Sequence, residues 1–132
     1  MNKLFKIGDR KIYQRQITID DIASFNGVVV HEVCATYALA RDIEWASRQF
    51  VLEMKDIDEE GIGTLLTINH KSPAFVGEVL RIEAVISNFE KNELICDYVA
   101  KVKERIVATG QTGQKIIKKE RIEGLFSNLK NE

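Results

Sequence analysis

The chain has 132 residues, 45% of them hydrophobic and 30% charged, which fits a folded domain and excludes disordered, collagen-like and disulfide-scaffold chains. The formal net charge of −1 excludes a globally basic nucleic-acid binder. The length predicts one domain over 1–132, and a single proline with eight glycines predicts long, uninterrupted elements.

Residues 11–19 are β-prone and partly alternating, which predicts a strand. Asp20-Asp21 predicts a helical turn running to Phe25, and Asn26-Gly27 ends it. The segment from about Glu32 to Met54 has neither Gly nor Pro. Ala35, Leu39, Ile43, Ala46 and Phe50 recur there at helical spacing. Ala40, Glu44, Ser47 and Val51 form a second stripe beside Tyr37, so the helix is predicted to be buried on nearly all sides. An acidic loop, Asp56 to Gly61, follows.

The remainder reads as strands. Residues 63–70 form one, interrupted by Lys71-Ser72-Pro73. Over 78–89, Leu80, Ile82, Ala84 and Ile86 alternate with Arg81 and Glu83. Glu90 to Glu93 is a polar hairpin turn. Over 94–103, Leu94, Cys96, Tyr98, Ala100 and Val102 alternate with Asp97, Lys101 and Lys103. A last strand covers about 106–119, where Gly110 and Gly113 mark a bulge or a close backbone approach. The order predicts an α+β layer, a curved antiparallel sheet of about five strands around one long helix. One sheet face then covers the helix, and the other is left for a partner.

Cys34 and Cys96 lie far apart and lack a CxxC or His/Cys cluster, so two reduced thiols are expected and a metal site is not. His31 near Cys34 carries no activating context for a nucleophile. No stretch approaches the ~18 apolar residues of a membrane span, and the expectation is a soluble, cytoplasmic protein with no membrane or nucleic-acid partner. Charge is uneven, with a net of −4 over residues 1–90 and +3 over 91–132. Lys101, Lys103, Arg105, Lys115, Lys118, Lys119 and Arg121 carry the surplus. They read as solvated strand faces or as a patch for a small anionic ligand such as nucleotide phosphates.

From Val33 to Gly77 the chain resembles a hot-dog-fold thioesterase, more narrowly the fluoroacetyl-CoA thioesterase-like family. The resemblance rests on Ala35-Thr36, Ile43-Glu44-Trp45-Ala46, Gly63-Thr64, His70, Pro73 and Gly77. The family pattern is a threonine, a glutamate eight residues on and a histidine twenty-six after that, here Thr36, Glu44 and His70. It implies hydrolysis of a small acyl-CoA thioester, with no cofactor beyond the coenzyme A of the substrate. It further implies Glu44 as general base or nucleophile, Thr36 as a hydroxyl that positions water or stabilises charge, and His70 as proton shuttle. The backbone N–H of Gly63 or Thr64 would meet the oxyanion, and Phe25, Pro73, Gly110 and Thr112 would line the substrate site. The implied assembly is a homodimer, or a tetramer as the larger form. One departure is plain. The family's last strand carries Gly-x-His-x-Arg, whereas here it reads Gly110-Gln111-Thr112-Gly113-Gln114.

Thioester hydrolysis needs a base to activate water and donors for the tetrahedral oxyanion. A carboxylate on an apolar helix is expected to be desolvated, and a histidine supplies a proton near neutral pH. Eight helical residues separate Thr36 from Glu44 by ~12 Å along the axis, so the two cannot bond directly within one straight helix. Either Thr36 precedes the helix and the chain folds back, or a second copy completes the site.

Each residue also has an ordinary explanation. Glu44 could pair with Arg41 or Arg48, Thr36 could be the helix N-cap, and His70 could simply end a strand. Arg41, Arg48 and Lys71 are candidate phosphate contacts. A non-catalytic acyl-CoA-binding hot-dog module is the main alternative. A hot-dog enoyl-CoA hydratase would need an Asp/His pair not seen at the required spacing, and in a cystatin-like isomerase the helix usually comes first.

Overall fold

The computed structural model describes residues 1–132. Strand β1 spans Arg10–Gln16, and a 3₁₀ turn at Ile19–Asp21 follows it. A hairpin of β2 (Ile22–Phe25) and β3 (Val28–Cys34) leads into helix α1 (Thr36–Met54). Then come β4 (Glu59–Leu66), β5 (Asn69–His70), β6 (Val79–Glu90), β7 (Glu93–Val102), β8 (Arg105–Lys118) and α2 (Lys119–Lys130). The antiparallel sheet runs β1-β6-β7-β8-β4, with β5 also paired to β8. This is the curved sheet over one helix that the order of elements predicts. No helix is long and apolar enough to cross a membrane.

The alternating strands bury the expected sides. Leu80, Ile82, Ala84 and Ile86 of β6 and Leu94, Cys96, Tyr98, Ala100 and Val102 of β7 are all buried against α1. From the helix come Ala38, Leu39, Ile43, Ala46, Phe50, Val51 and Met54. Full burial of each Leu, Ile or Phe contributes about 1.5–3 kcal/mol, so this interface is the main stabilising layer. Two central residues with positive φ close the β6–β7 hairpin, Lys91 and Asn92, as a two-residue turn of this twist requires.

Five expectations change. The helix begins at Thr36, not near Glu32, because residues 28–34 pair with β2 as a strand. Asn26-Gly27, read as a helix breaker, is the positive-φ turn of that hairpin, with φ of 54° and 77°. Glu59 and Glu60 belong to β4 rather than to a solvated loop, and the strand expected over 63–70 is split between β4 and β5. Helix α1 is buried on one side only, leaving Tyr37, Arg41, Glu44, Trp45 and Leu52 exposed on the other. Helix α2 follows β8 without a break and has no buried residue.

Gly110 shows the expected close approach. A Cβ there would collide with the Thr67 carbonyl oxygen, which already accepts from the Tyr98 hydroxyl at 2.8 Å. Gly110→Ala is therefore expected to destabilise the fold by about 1–3 kcal/mol, read from the denaturant midpoint. Gly63→Ala is the control, since nothing lies within 4 Å of a Cβ at that position. Equal midpoints for the two variants would contradict the close approach.

Candidate active site

Thr36 is the first residue of α1, and Ala35, not Thr36, stands in the N-cap position. The hydroxyl is thus free of the expected capping role. It lies 3.0 Å from Nδ1 of His70. His70 reaches this point because β5 pairs with β8, placing it opposite Ala108. The segment after it is pinned to the same strand. Lys71 N donates to the Val107 carbonyl at 2.8 Å, and Ser72 Oγ to the Ile106 carbonyl at 2.6 Å. Pro73 follows, exposed, with its carbonyl accepting from Arg105 Nε at 3.2 Å.

Glu44 sits two turns further along α1 and is exposed, not desolvated as an apolar helix implies. It lines a cleft of about 430 Å³ that also includes Trp45, Gly63, Leu65 and Thr112. The ion pairs expected from spacing do not form. Arg41 goes to Asp21 at 3.1 Å and Asp42 at 3.5 Å, while Arg48 goes to Glu60 at 2.7 Å. Glu44 is left with no ion-pair partner beside open space. Both arginines also line the cleft beside Glu44.

Gly63 and Thr64 lie on β4, the edge of the sheet. A register shift between Gly63 and Leu65 takes Thr64 out of the β8 ladder. A bulge of this kind leaves a residue unpaired and its backbone available. Thr112 is buried, and its hydroxyl donates to Ser47 Oγ at 2.6 Å. Gly110 packs on Thr67 and does not line the cleft. Phe25, exposed at the end of β2, packs edge-on against Tyr37 with ring centroids 5.9 Å apart. The Tyr37 hydroxyl lies within 3.1–3.3 Å of the main chain of Ile22 and Ser24, tying the hairpin to the helix N-terminus.

The structure thus forms two groups. Thr36 and His70 touch each other at the helix N-terminus, where Phe25 packs on the neighbouring Tyr37. Glu44, Gly63 and Thr112 share a cleft at the open edge of β4.

Beside the cleft lies a feature that local pattern does not reveal. Arg15 donates to Asp42 Oδ2 at 2.6 and 3.0 Å and to Asp21 Oδ2 at 2.8 Å. Both carboxylates are buried. Burial alone would raise the Asp21 carboxyl, but Arg15, the Thr18 backbone and Arg41 outweigh it and hold it well below the usual range. The only sequence signal was Thr18-x-x-Asp21, a capping box that the turn does form. Of the basic residues in the C-terminal third, Lys118 pairs with Asp58 and Arg105 with Glu78.

The two thiols are unpaired and buried. Burial first, then the Asp21 and Asp42 carboxylates, push Cys34 up to about 11, and burial pushes Cys96 up to about 12. Neither thiol is activated as a nucleophile.

Solved structures share this architecture. A Thermus thermophilus hypothetical protein described as a thioesterase superfamily member superposes with a TM-score of 0.91 at 27% identity, covering 98% of this chain and 96% of that one. The fluoroacetyl-CoA thioesterase FlK superposes with a TM-score of 0.85 at 17% identity, over 94% and 96% of the two chains. A hot-dog-like protein from Thermanaerovibrio acidaminovorans superposes with a TM-score of 0.86 at 16% identity, over 96% and 94%. The fold is the hot-dog fold. No curated protein matches the chain. The sequence model of the FlK family, fluoroacetyl-CoA-specific thioesterase, matches residues 17–120, and the chain belongs to that thioesterase family.

Proposed function

We propose that the chain hydrolyses the thioester of a small acyl-CoA to the free acid and coenzyme A, working as a homodimer. One observation carries this reading. Glu44 is an exposed carboxylate that makes no ion pair, facing a cleft in a chain of a thioesterase family. A carboxylate so placed can take a proton from water attacking the acyl carbon. The C–S bond then breaks, and the coenzyme A thiolate leaves and is protonated. Thr36 and His70, in contact at 3.0 Å, form a hydroxyl–imidazole relay suited to that proton. The unpaired backbone at Thr64 or the neighbouring Gly63 would donate to the oxyanion.

Distance supports the dimer. Thr36 and Glu44 are ~12 Å apart along one helix, and the helix does not fold back. The open edge of β4 borders the Glu44 cleft, with Leu65 and Trp45 exposed beside it. Pairing of two such edges covers that apolar surface and lets Glu44 of one copy approach Thr36 and His70 of the other. A second reading, acyl-CoA binding without turnover, is favoured by the last strand. It lacks the family's histidine and arginine, and Gln111 is held by Asp97 at 2.8 Å.

The deciding experiment follows free thiol across acyl-CoA esters of increasing length. Release from at least one short ester is expected, with a solution mass of twice the 15.0 kDa chain. Binding with no release of thiol from any ester supports the second reading, and a monomeric mass removes the shared site.

A further inference from the structure

The outer face of the sheet, away from α1, carries a recess unrelated to the Glu44 cleft. Gln14, Gly77, Val79, Arg81 and Lys103 border about 440 Å³ there. A smaller recess of about 110 Å³ adjoins it through Arg81 and adds Glu83, Val99 and Lys101. Together they form one groove across β1, β6 and β7.

Its charges are unusual. Arg81 and Lys101 stand directly opposite each other on neighbouring strands. Like charges in that position destabilise a sheet. Only two carboxylates, Glu78 and Glu83, face them, and both are engaged with other arginines. The nearest carboxylate to Arg81 is Glu83 at 3.9 Å, and Glu83 already pairs with Arg10 at 2.7 Å. Lys101 and Lys103 make no ion pair. Glu78, on the rim, is occupied by Arg105 at 2.6 Å and the Phe75 backbone at 2.7 Å. Glu104, in the β7–β8 turn, borders neither recess.

Lys103 adds a second oddity. It holds a φ of 52°, the left-handed region that favours glycine and asparagine. The backbone there is strained, and it carries a cation at the rim of the larger recess. An anion lying between these side chains would convert the repulsion into attraction. Another copy stacked on this face would bring the same cations against each other, so a sheet-on-sheet contact is disfavoured.

We propose that this groove binds a phosphoryl group, held by Arg81, Lys101 and Lys103. The guanidinium offers paired donors to phosphate oxygens and the two ammonium groups act as mobile point charges. The phosphate can come from the nucleotide end of a coenzyme A thioester or from a free nucleotide. The first source rests on the thioesterase reading, but binding itself does not.

The test is calorimetric titration of the full chain with pyrophosphate, adenosine bisphosphate and coenzyme A. Binding that weakens with added salt is expected for wild type. The double variant Arg81→Gln/Lys101→Gln should bind at least about 10-fold more weakly, the loss of one charge-assisted hydrogen bond. Its unliganded melting midpoint should be no lower, because a like-charge pair is removed. Lys103→Gly is the second variant. It suits the left-handed backbone, so it should fold at least as well and still bind phosphate more weakly. No binding of any probe by wild type, or equal binding by both variants, overturns the site. If coenzyme A is the source, the double variant raises KM for acyl-CoA at unchanged kcat and leaves acyl-pantetheine unaffected. If a free nucleotide is the source, KM for acyl-CoA stays constant while adenosine bisphosphate binding is lost. The titrations remain decisive even if no thioester is hydrolysed.

Discussion

Glu44→Ala is expected to lower kcat/KM for thioester hydrolysis by about 10²–10⁴-fold, the usual contribution of a positioned general base. The fold should be unaffected. Glu44 is exposed on α1 and makes no ion pair, and alanine is the best helix former. The melting midpoint therefore separates a chemical role from a structural one. Glu44→Gln keeps the shape and removes the base, so it should fall with alanine. Mixing inactive variants then tests the shared site. In a dimer where Glu44 of one copy works with Thr36 of the other, mixing Thr36→Ala and Glu44→Ala chains creates one intact site per mixed dimer. Activity should return on mixing. Continued silence after subunit exchange would place all three residues within one chain, and unchanged turnover in Glu44→Ala would remove Glu44 from the chemistry altogether.

The second large effect concerns stability. Arg15→Met should cost about 3–5 kcal/mol, because it strips two buried carboxylates of their closest and most buried cation and leaves them only the largely exposed Arg41. Asp21 and Asp42 are 2% and 3% exposed, whereas the Arg15 side chain is 21% exposed. Arg41→Ala should cost about 1 kcal/mol or less, since that guanidinium is largely in water. Thermal midpoints separate the two, with a fall of roughly 10 °C or more expected for Arg15→Met. A small effect there would mean that the carboxylates find water or another donor.

The same network sets a pH dependence. The folded Asp21 carboxyl lies below its ordinary value, held by Arg15, Thr18 and Arg41 against the opposing effect of burial. Its stabilising contribution is complete above the unfolded value of about 3.9 and is lost as pH falls through the lower folded value. Wild type should therefore lose stability below about pH 4. In Arg15→Met the main counterweight to burial is gone, so the loss on acidification should shrink, as chemical denaturation at successive pH values will show.

Much of the fold could be read locally. Strands β6 and β7 announce themselves because every second residue is apolar, and one face of each is buried. The Leu39–Ile43–Ala46–Phe50 stripe does the same for α1. The β2–β3 hairpin was hidden for a matching reason. Val28, Val29 and Val30 are all exposed, so no alternation marks β3, and the lack of Gly or Pro let a helix reading run back to Glu32. Asn26-Gly27 was the available hairpin signal. Helix α2 buries nothing, so its weak apolar stripe had no packing partner to indicate.

The candidate site divides along the same line. The resemblance to the fluoroacetyl-CoA thioesterase-like family, through its spacings of eight and twenty-six residues, singles out Thr36, Glu44 and His70, and a hydroxyl, a carboxylate and an imidazole suit thioester hydrolysis. Which of them meet was decided by tertiary structure. Thr36 touches His70 only because β5 pairs with β8 in one register. Glu44 stands unpaired because Asp21 and Glu60 arrive from other elements to take its neighbouring arginines. Local periodicity encodes which face of an element is buried. The partner of a charged side chain is chosen among all groups that folding brings within reach, and those come from segments distant in the chain.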